Sequence, residues 1–448
     1  MNQAQMFETL KMPKLIAKMA APAMIGMLVI VLYNMADTFF VGQTHDDLMI
    51  TAVSIATPIF MLLITLGTLI GTGGSATISQ YLGEKNYTKV KQVSSFCIYA
   101  ALFSGITFAV LINLFIDPVC RFIGASETSL ALTKQYVSII ALSAPVTILC
   151  STMSHIIRSE GSSKESMFGN IVGTVINIIL DPIMILSMHM GVKGAAWATL
   201  ISNLIAAIYY ISYFFWKKGS QLSINIKDSK ISLSVVKTIF FVGFPIAIAN
   251  LLSSLSNLIL NKFLLQAGDQ YLAAMGISLK IMLITTLLQV GLSNGVLPIM
   301  AYSRGANNME RFKSCLKHSV IISIVLGTIL FLFSYIFRIQ LISAFSQNPE
   351  IVDIAKLMTS LMLLSAPILG LYNLSIVTMQ ALKQPRVAML VSSLRQGLIF
   401  VPLIFILSNM FGVMGSMLTQ VISDYISVII ALTIVIMTLR KVIHGVSA

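Results

Sequence analysis

Asp37, Asp181, Lys262, Lys280, Arg395 and Asp424 are six ionisable side chains set inside long apolar stretches of a 448-residue chain. In hydrocarbon such a group costs about 2.5–3.5 kcal/mol on insertion scales, so each needs a reason to be there. Asn177 lies one helical turn before Asp181 and shares its face. Thr199 and Tyr33 add a hydroxyl and a phenol at matching positions in neighbouring stretches. Two carboxyls with amide and hydroxyl neighbours suit reversible binding of a proton or of a hard cation such as Na⁺. A carboxyl titrates near ~3.9 in water, and apolar surroundings or a second carboxylate push titration up toward neutrality. The bland alternatives are a structural hydrogen-bond cluster or, for Asp37, an aspartate that reaches interfacial water.

The elements that must hold these groups are membrane helices. Hydrophobic residues make up 57% of the chain and charged residues only 10%, against about 25% charged in a soluble domain. Twelve apolar stretches of 20 residues or more span about 14–41, 49–80, 94–117, 134–158, 168–188, 194–215, 235–265, 271–301, 318–345, 354–382, 388–408 and 413–438. That is the length a helix needs to cross about 30 Å of hydrocarbon. The ~10-residue alternating strands of a membrane barrel are missing. The expected fold class is therefore all-α integral membrane, with twelve transmembrane helices. The first apolar run is too long for a signal-peptide core and is read as a retained span.

Placing the N-terminus in the cytoplasm puts twenty-one Lys and Arg on that side and five on the other. The remaining three, Lys262, Lys280 and Arg395, lie within spans. Both termini are then cytoplasmic, in the cell (inner) membrane, by the positive-inside rule. The same bias explains most of the net charge of +13 without any nucleic-acid partner. Cys97, Cys120, Cys150 and Cys315 have neither paired nor metal-ligand spacing and read as small apolar residues.

The polar stretch WKKGSQLSINIKDSK falls mid-chain and divides it into 1–215, a cytoplasmic linker 216–234, and 235–448. The two halves repeat each other. ISQYLGEKNYTKVKQ at 78–92 matches MAYSRGANNMERFKS at 300–314, LSAP at 142–145 returns at 364–367, and GVKG at 191 returns as GVMG at 412. Pro22 in MAAPAMIG matches Pro245 in VGFPIAIA. The constant offset marks a duplicated six-helix unit, both copies in one orientation, a known transporter layout. Proline permits a kink, so Pro22 is the candidate hinge, with a static kink as the alternative.

The second copy lacks the two acids of the first, since positions near Leu260 and Leu403 replace Asp37 and Asp181. Its own polar residues are Lys280, Arg395, Asp424 and Asn257. Arg395 and Asp424 lie at one depth on adjacent spans and read as a buried ion pair, or as a substrate or gating group. Lys262 sits near the outer end of its span and can snorkel. No Walker A loop, HExxH, Ser/His/Asp set or Cys/His cluster is present, so the chain is not read as an enzyme, and no cofactor is expected. Energy must then come from an ion gradient.

VLYNMADTFFVGQ in span 1, GTGGSATISQYLGEKN after span 2, RSEGSSK after span 4 and NIILDPIMI in span 5 stand in an order that resembles the MATE family, multidrug and toxic compound extrusion. The likeness covers nearly the whole chain. It implies two pseudo-symmetric six-helix lobes in a V and export of organic cations against H⁺ or Na⁺. It also implies that Asp37, Asn177, Asp181 and Thr199 carry the coupling. Members with acids in spans 7 and 10 are often Na⁺-coupled. This chain has none there, only Asn257 and Asn261, which favours H⁺. The implied partners are amphipathic cationic drugs, the coupling ion and the lipid bilayer, with the protein a monomer. A flippase for lipid-linked saccharide precursors is the alternative, and it would want a cationic groove. A passive channel or receptor-like protein is the other.

Overall fold

The computed structural model describes residues 3–44 and 46–443, without the side chains of 3, 4, 33–39, 41, 42, 47 and 443. Those residues are helical nearly throughout and contain no strand. Six long helices form the first half: α1 (Met12–Gly42), α2 (Asp47–Gly83), α3 (Tyr87–Leu114), α4 (Leu130–Ser159), α5 (Ser163–Asp181) and α6 (Gly191–Trp216). The second half has α7 (Leu233–Leu265), α8 (Asp269–Gly305), α9 (Met309–Ile336) and α10, made of Pro349–Leu363 and Ala366–Ala381.

By length and composition ten helices can cross a membrane, and the bent pair forming α10 makes an eleventh. One of the ten, Pro385–Val442, has 58 residues, about 90 Å of helix at 1.5 Å per residue and far more than one crossing needs. It breaks at Gly412, whose φ of 57° and ψ of −135° suit only glycine. The break gives α11 (385–411) and α12 (413–443), and twelve crossings.

The repeat is visible in matching local chemistry. After α2, Lys85 turns into the left-handed region (φ 57°), and the Asn86 side chain accepts the Lys89 amide at 3.2 Å. After α8, Asn307 turns likewise (φ 52°), and Asn308 accepts the Arg311 amide at 2.9 Å. Asparagine tolerates the turn at 307, and in both repeats the next residue, Asn86 or Asn308, satisfies an orphan amide of the following helix. Gly191, at the head of α6, has φ 55°, close to that of its counterpart Gly412.

Two helices are longer than expected at their N-terminal ends, α3 and α9 starting at Tyr87 and Met309 rather than near 94 and 318. The Asn caps explain both. α9 also stops at Ile336, and a short helix, Arg338–Ser343, follows it. The expected continuous span 354–382 is bent by 48° between Leu363 and Ala366.

The compact units do not divide at the linker. One comprises the chain to Thr9 and Ile25–Gly243; the other comprises Leu10–Met24 and the chain from Phe244 onward. Helices α1 and α7 therefore each begin in the unit of the opposite repeat. Small residues allow this. In the first unit a Cβ at Gly73 of α2 would stand 1.9 Å from the Ile239 carbonyl oxygen of α7. In the second, a Cβ at Gly295 of α8 would stand 2.5 Å from the Ala20 Cα of α1. Without a hydrophobic drive between helices in lipid, such close backbone approach is what holds them.

The linker packs against the first unit. Ser94 exchanges bonds with Ser223, donating to its carbonyl (3.2 Å) and accepting from its amide (2.9 Å). Ser95 donates to the Asn225 carbonyl at 2.7 Å and Tyr99 to the Ile224 carbonyl at 2.9 Å. Glu160, only 3% exposed, accepts Ser220 Oγ at 2.9 Å, the Gln221 amide at 3.1 Å and the Tyr213 hydroxyl. Burial pushes the Glu160 carboxyl above the usual carboxylate range, and those donors pull it partly back.

Candidate functional site

Asp181 is the last α-helical residue of α5, which continues as a π-helix over Pro182–Ser187. Pro182 has no amide proton to give, so the regular ladder opens where the acid sits. π-turns of this kind recur at functional sites. Asp181 is fully buried and Asn177 is 1% exposed. The Asn177 amide donates to Asp181 Oδ1 at 3.3 Å. Thr199 is equally buried on α6. The helical pair α5 and α6 thus positions three of the five residues singled out in the first half. Tyr33 and Asp37 belong to α1, but their side chains lie outside the described residues. Pro22 sits inside α1, three residues before the point where that helix passes between units.

A carboxylate with no water around it is expensive unless a cation or a proton accompanies it. A neutral amide such as Asn177 orients the carboxyl without balancing its charge. A carboxyl in such surroundings is of the kind that can take up and release a proton or a hard cation.

The second unit holds a different polar knot. Arg395 lies in a π-helical turn, Leu394–Leu398, of α11. Its Nε donates to Asp424 Oδ1 of α12 at 2.6 Å, and Gln420 Nε2 donates to the same oxygen at 2.8 Å. Ser423 donates to the Arg395 carbonyl at 2.6 Å. Tyr372 of α10 donates to the carbonyls of Val391 (2.8 Å) and Ser392 (3.0 Å), and Ser256 of α7 donates to that of Gln396. These four helices are joined through backbone carbonyls at the π-turn and just before it. Lys280 stands apart from them, exposed, with its ammonium 5.2 Å from the Phe345 ring centroid. Asn257 is exposed as well.

The Arg395–Asp424 pair gives a sharp stability prediction. Asp424 is 1% exposed and the Arg395 side chain 19%. Asp424→Leu strands a buried guanidinium and lowers stability by about 3–5 kcal/mol. Arg395→Leu with Asp424→Leu removes both charges and recovers most of that loss. Thermal midpoints of the single and double variants in detergent check this. Equal midpoints for the two variants contradict it.

Sequence reasoning did not find Glu160, although RSEGSSK contains it, because its partners Ser220 and Gln221 come from the linker. Nor did it find Arg158, which is 2% exposed and donates through Nη2 to Ser154 at 3.3 Å and Ser166 at 3.0 Å. The four cysteines are all buried and unpaired by disulfide. Among the described residues no three His, Cys, Asp or Glu side chains gather as a metal site.

Duplicated six-helix halves, polar side chains buried in the spans and helices long enough for lipid define a polytopic membrane transporter rather than an enzyme. The chain belongs to the MatE family: the family profile matches residues 22–183 and again 245–406, one match per repeat. It is 35% identical over 437 residues to the multidrug export protein MepA of Staphylococcus aureus (strain NCTC 8325 / PS 47), covering 97% of this chain and 96% of that one. It is 33% identical over 429 residues to the MepA protein of Staphylococcus haemolyticus (strain JCSC1435), covering 96% and 94%. In fold it matches the outward-facing structure of a multidrug resistance MATE family transporter of the MOP superfamily. That match has a TM-score of 0.93, 22% identity and 98% coverage of each chain.

Proposed function

We propose that this protein is a multidrug exporter that moves amphipathic organic cations outward in exchange for an inward-moving proton, with Asp37 and Asp181 as the exchange groups. The observation that carries this is Asp181, a fully buried carboxyl at the α–π junction of α5, within an apolar span and hydrogen-bonded to Asn177 one turn earlier. Asn177, Thr199 and Tyr33 shape the site, and Pro22 is the hinge. The passage of α1 between compact units next to Pro22 supports that role. The two MepA relatives, both called multidrug export proteins, support the cargo. The flippase reading draws no support from them. The lysine bias of the loops supports a multi-pass protein of the cytoplasmic (inner) membrane with both termini in the cytoplasm, and it works as a monomer.

Sodium is the second reading, because carboxyl, amide and hydroxyl oxygens from Asp181, Asn177 and Thr199 are hard-cation ligands. Proteoliposomes loaded with ethidium separate the two. A pH gradient at constant Na⁺ drives uphill dye movement under the proton reading. Movement driven only by a Na⁺ gradient transfers the role to sodium, and movement driven by neither overturns ion exchange.

A further inference from the structure

Where the linker joins α7, a cavity of about 220 Å³ opens against the ends of α2 and α3. Lys89 of α3 and Lys230 of the linker line it together with Gln92 and Ser232, and Tyr81 and Val93 add apolar surface. The Lys89 ammonium is held 5.1 Å from the Tyr81 ring centroid. Among the described residues neither lysine has an acidic partner: Lys85 nearby pairs with Glu8 at 3.8 Å, and Asp228 is engaged by Ser223 Oγ at 2.6 Å. Two lysines with no ion pair among the described residues, an amide side chain and a hydroxyl side chain thus line one small space.

That donor set fits a phosphate group. Lysine supplies the charge and rotatable donors, while Gln92 and Ser232 supply neutral ones. The cavity's depth identifies the carrier of the phosphate. Tyr81 lies two residues before the end of α2, Lys89 in the first turn of α3 and Val235 in the first turn of α7. Three spans end there, on the lysine-rich side, which is the level of lipid headgroups. Basic pockets between membrane helices at that level take anionic lipid headgroups.

We propose that this cavity binds the phosphate of an anionic phospholipid, and that the bound headgroup reinforces docking of the linker on the first unit. The wall formed by 230–232 is continuous with the segment clipped to Ser94, Ser95 and Tyr99, so the site exists only while the linker is docked. Lipid and linker are therefore linked: what fills the cavity favours the clipped state. Only the assignment to the cytoplasmic leaflet rests on the topology proposed above. The site itself is independent of drug export.

Titrating the full-length protein in detergent with dioctanoyl phosphatidylglycerol, followed by native mass spectrometry, tests the proposal without reference to transport. The expected result is tight retention of phosphatidylglycerol over dioctanoyl phosphatidylcholine. Lys89→Gln with Lys230→Gln weakens it about thirtyfold, as two interfacial lysines imply. The charge-matched Lys313→Gln/Lys317→Gln protein keeps it. Both cavity lysines are exposed, so their removal leaves the thermal midpoint in place; if it does not, Lys230→Gln alone replaces the double variant. Undiminished retention by the cavity variant overturns the proposal. Competition by millimolar inorganic phosphate as effective as by the lipid overturns the lipid assignment in favour of a free-anion pocket.

Discussion

Cells expressing the Asp37→Asn/Asp181→Asn protein accumulate ethidium to the level of cells that lack the transporter, whereas the parent chain keeps dye several-fold lower. The substitution is nearly isosteric. Asn at 181 keeps a hydrogen-bonding group one turn from Asn177, so packing around this fully buried position survives. What it removes is the change of charge. A charged group at the centre of a span costs about 3 kcal/mol relative to a neutral one, roughly a 150-fold bias between loaded and empty states. A ligand can shift a conformational equilibrium only by its differential affinity for the two states. With amides at both positions the inorganic ion has no such difference to offer, and drug movement becomes downhill only. Asp181→Asn alone is expected to lose most of the uphill component, because its carboxyl is the one fully removed from water among the described residues of the site. Undiminished uphill export by the double variant sinks the ion-exchange mechanism. The Glu127→Gln protein is the control, since that carboxylate is exposed and lies between helices, outside the spans.

The second large effect is on the fold. Gly73→Val or Gly243→Val lowers the stability of the protein in detergent by about 3 kcal/mol or more, at the upper end of what overpacking costs. The reason is reciprocal. A Cβ at Gly73 would stand 1.9 Å from the carbonyl oxygen of Ile239, and one at Gly243 would stand 1.9 Å from that of Leu69. Carbonyl oxygens of intact helices cannot swing away, so α2 and α7 must separate as whole helices. Separation opens gaps along the seam and forfeits dispersion contacts there. The two changes act on one seam, so the double variant costs less than the sum. Gly276→Ala is the internal comparison. Nothing lies within 4 Å of its Cβ, and alanine favours a helix over glycine by about 1 kcal/mol. Thermal midpoints read all four variants. A Gly73→Val protein as stable as the parent contradicts the close approach of α2 to α7.

Both predictions depend on features that the amino-acid sequence shows to very different degrees. Asp181 and Asn177 stand out in the chain because an acid in a long apolar run is rare, and their i, i+4 spacing fixes a common face. The Gly73 clash was not legible. GTGG is visible as a motif, but which backbone it meets is decided by Ile239, more than 160 residues away. The LSAP repeat illustrates the same limit. In α4 the motif runs through an unbroken helix, with Ser143 donating to the Ile140 carbonyl at 2.7 Å. In α10 the same four residues mark a 48° bend. The difference lies in what faces them. Gln289 of α8 is buried against Gly327 and Gly370 and bonds Ser323, whereas its counterpart in the first half is Gly67.

The chain by itself therefore settled the membrane class, the number of spans, the duplication and the asymmetric placement of charge. All of these are properties of composition and period, set by the thickness of lipid and the pitch of a helix. Tertiary structure alone decided that α1 and α7 begin in the opposite unit, that the linker is clipped to α3 and Glu160, and that α11 opens into a π-turn at Arg395 whose neighbouring carbonyls are met by Tyr372, Ser256 and Ser423. Those outcomes depend on which backbones approach closely and which polar groups find partners far along the chain, and no local pattern of residues encodes either.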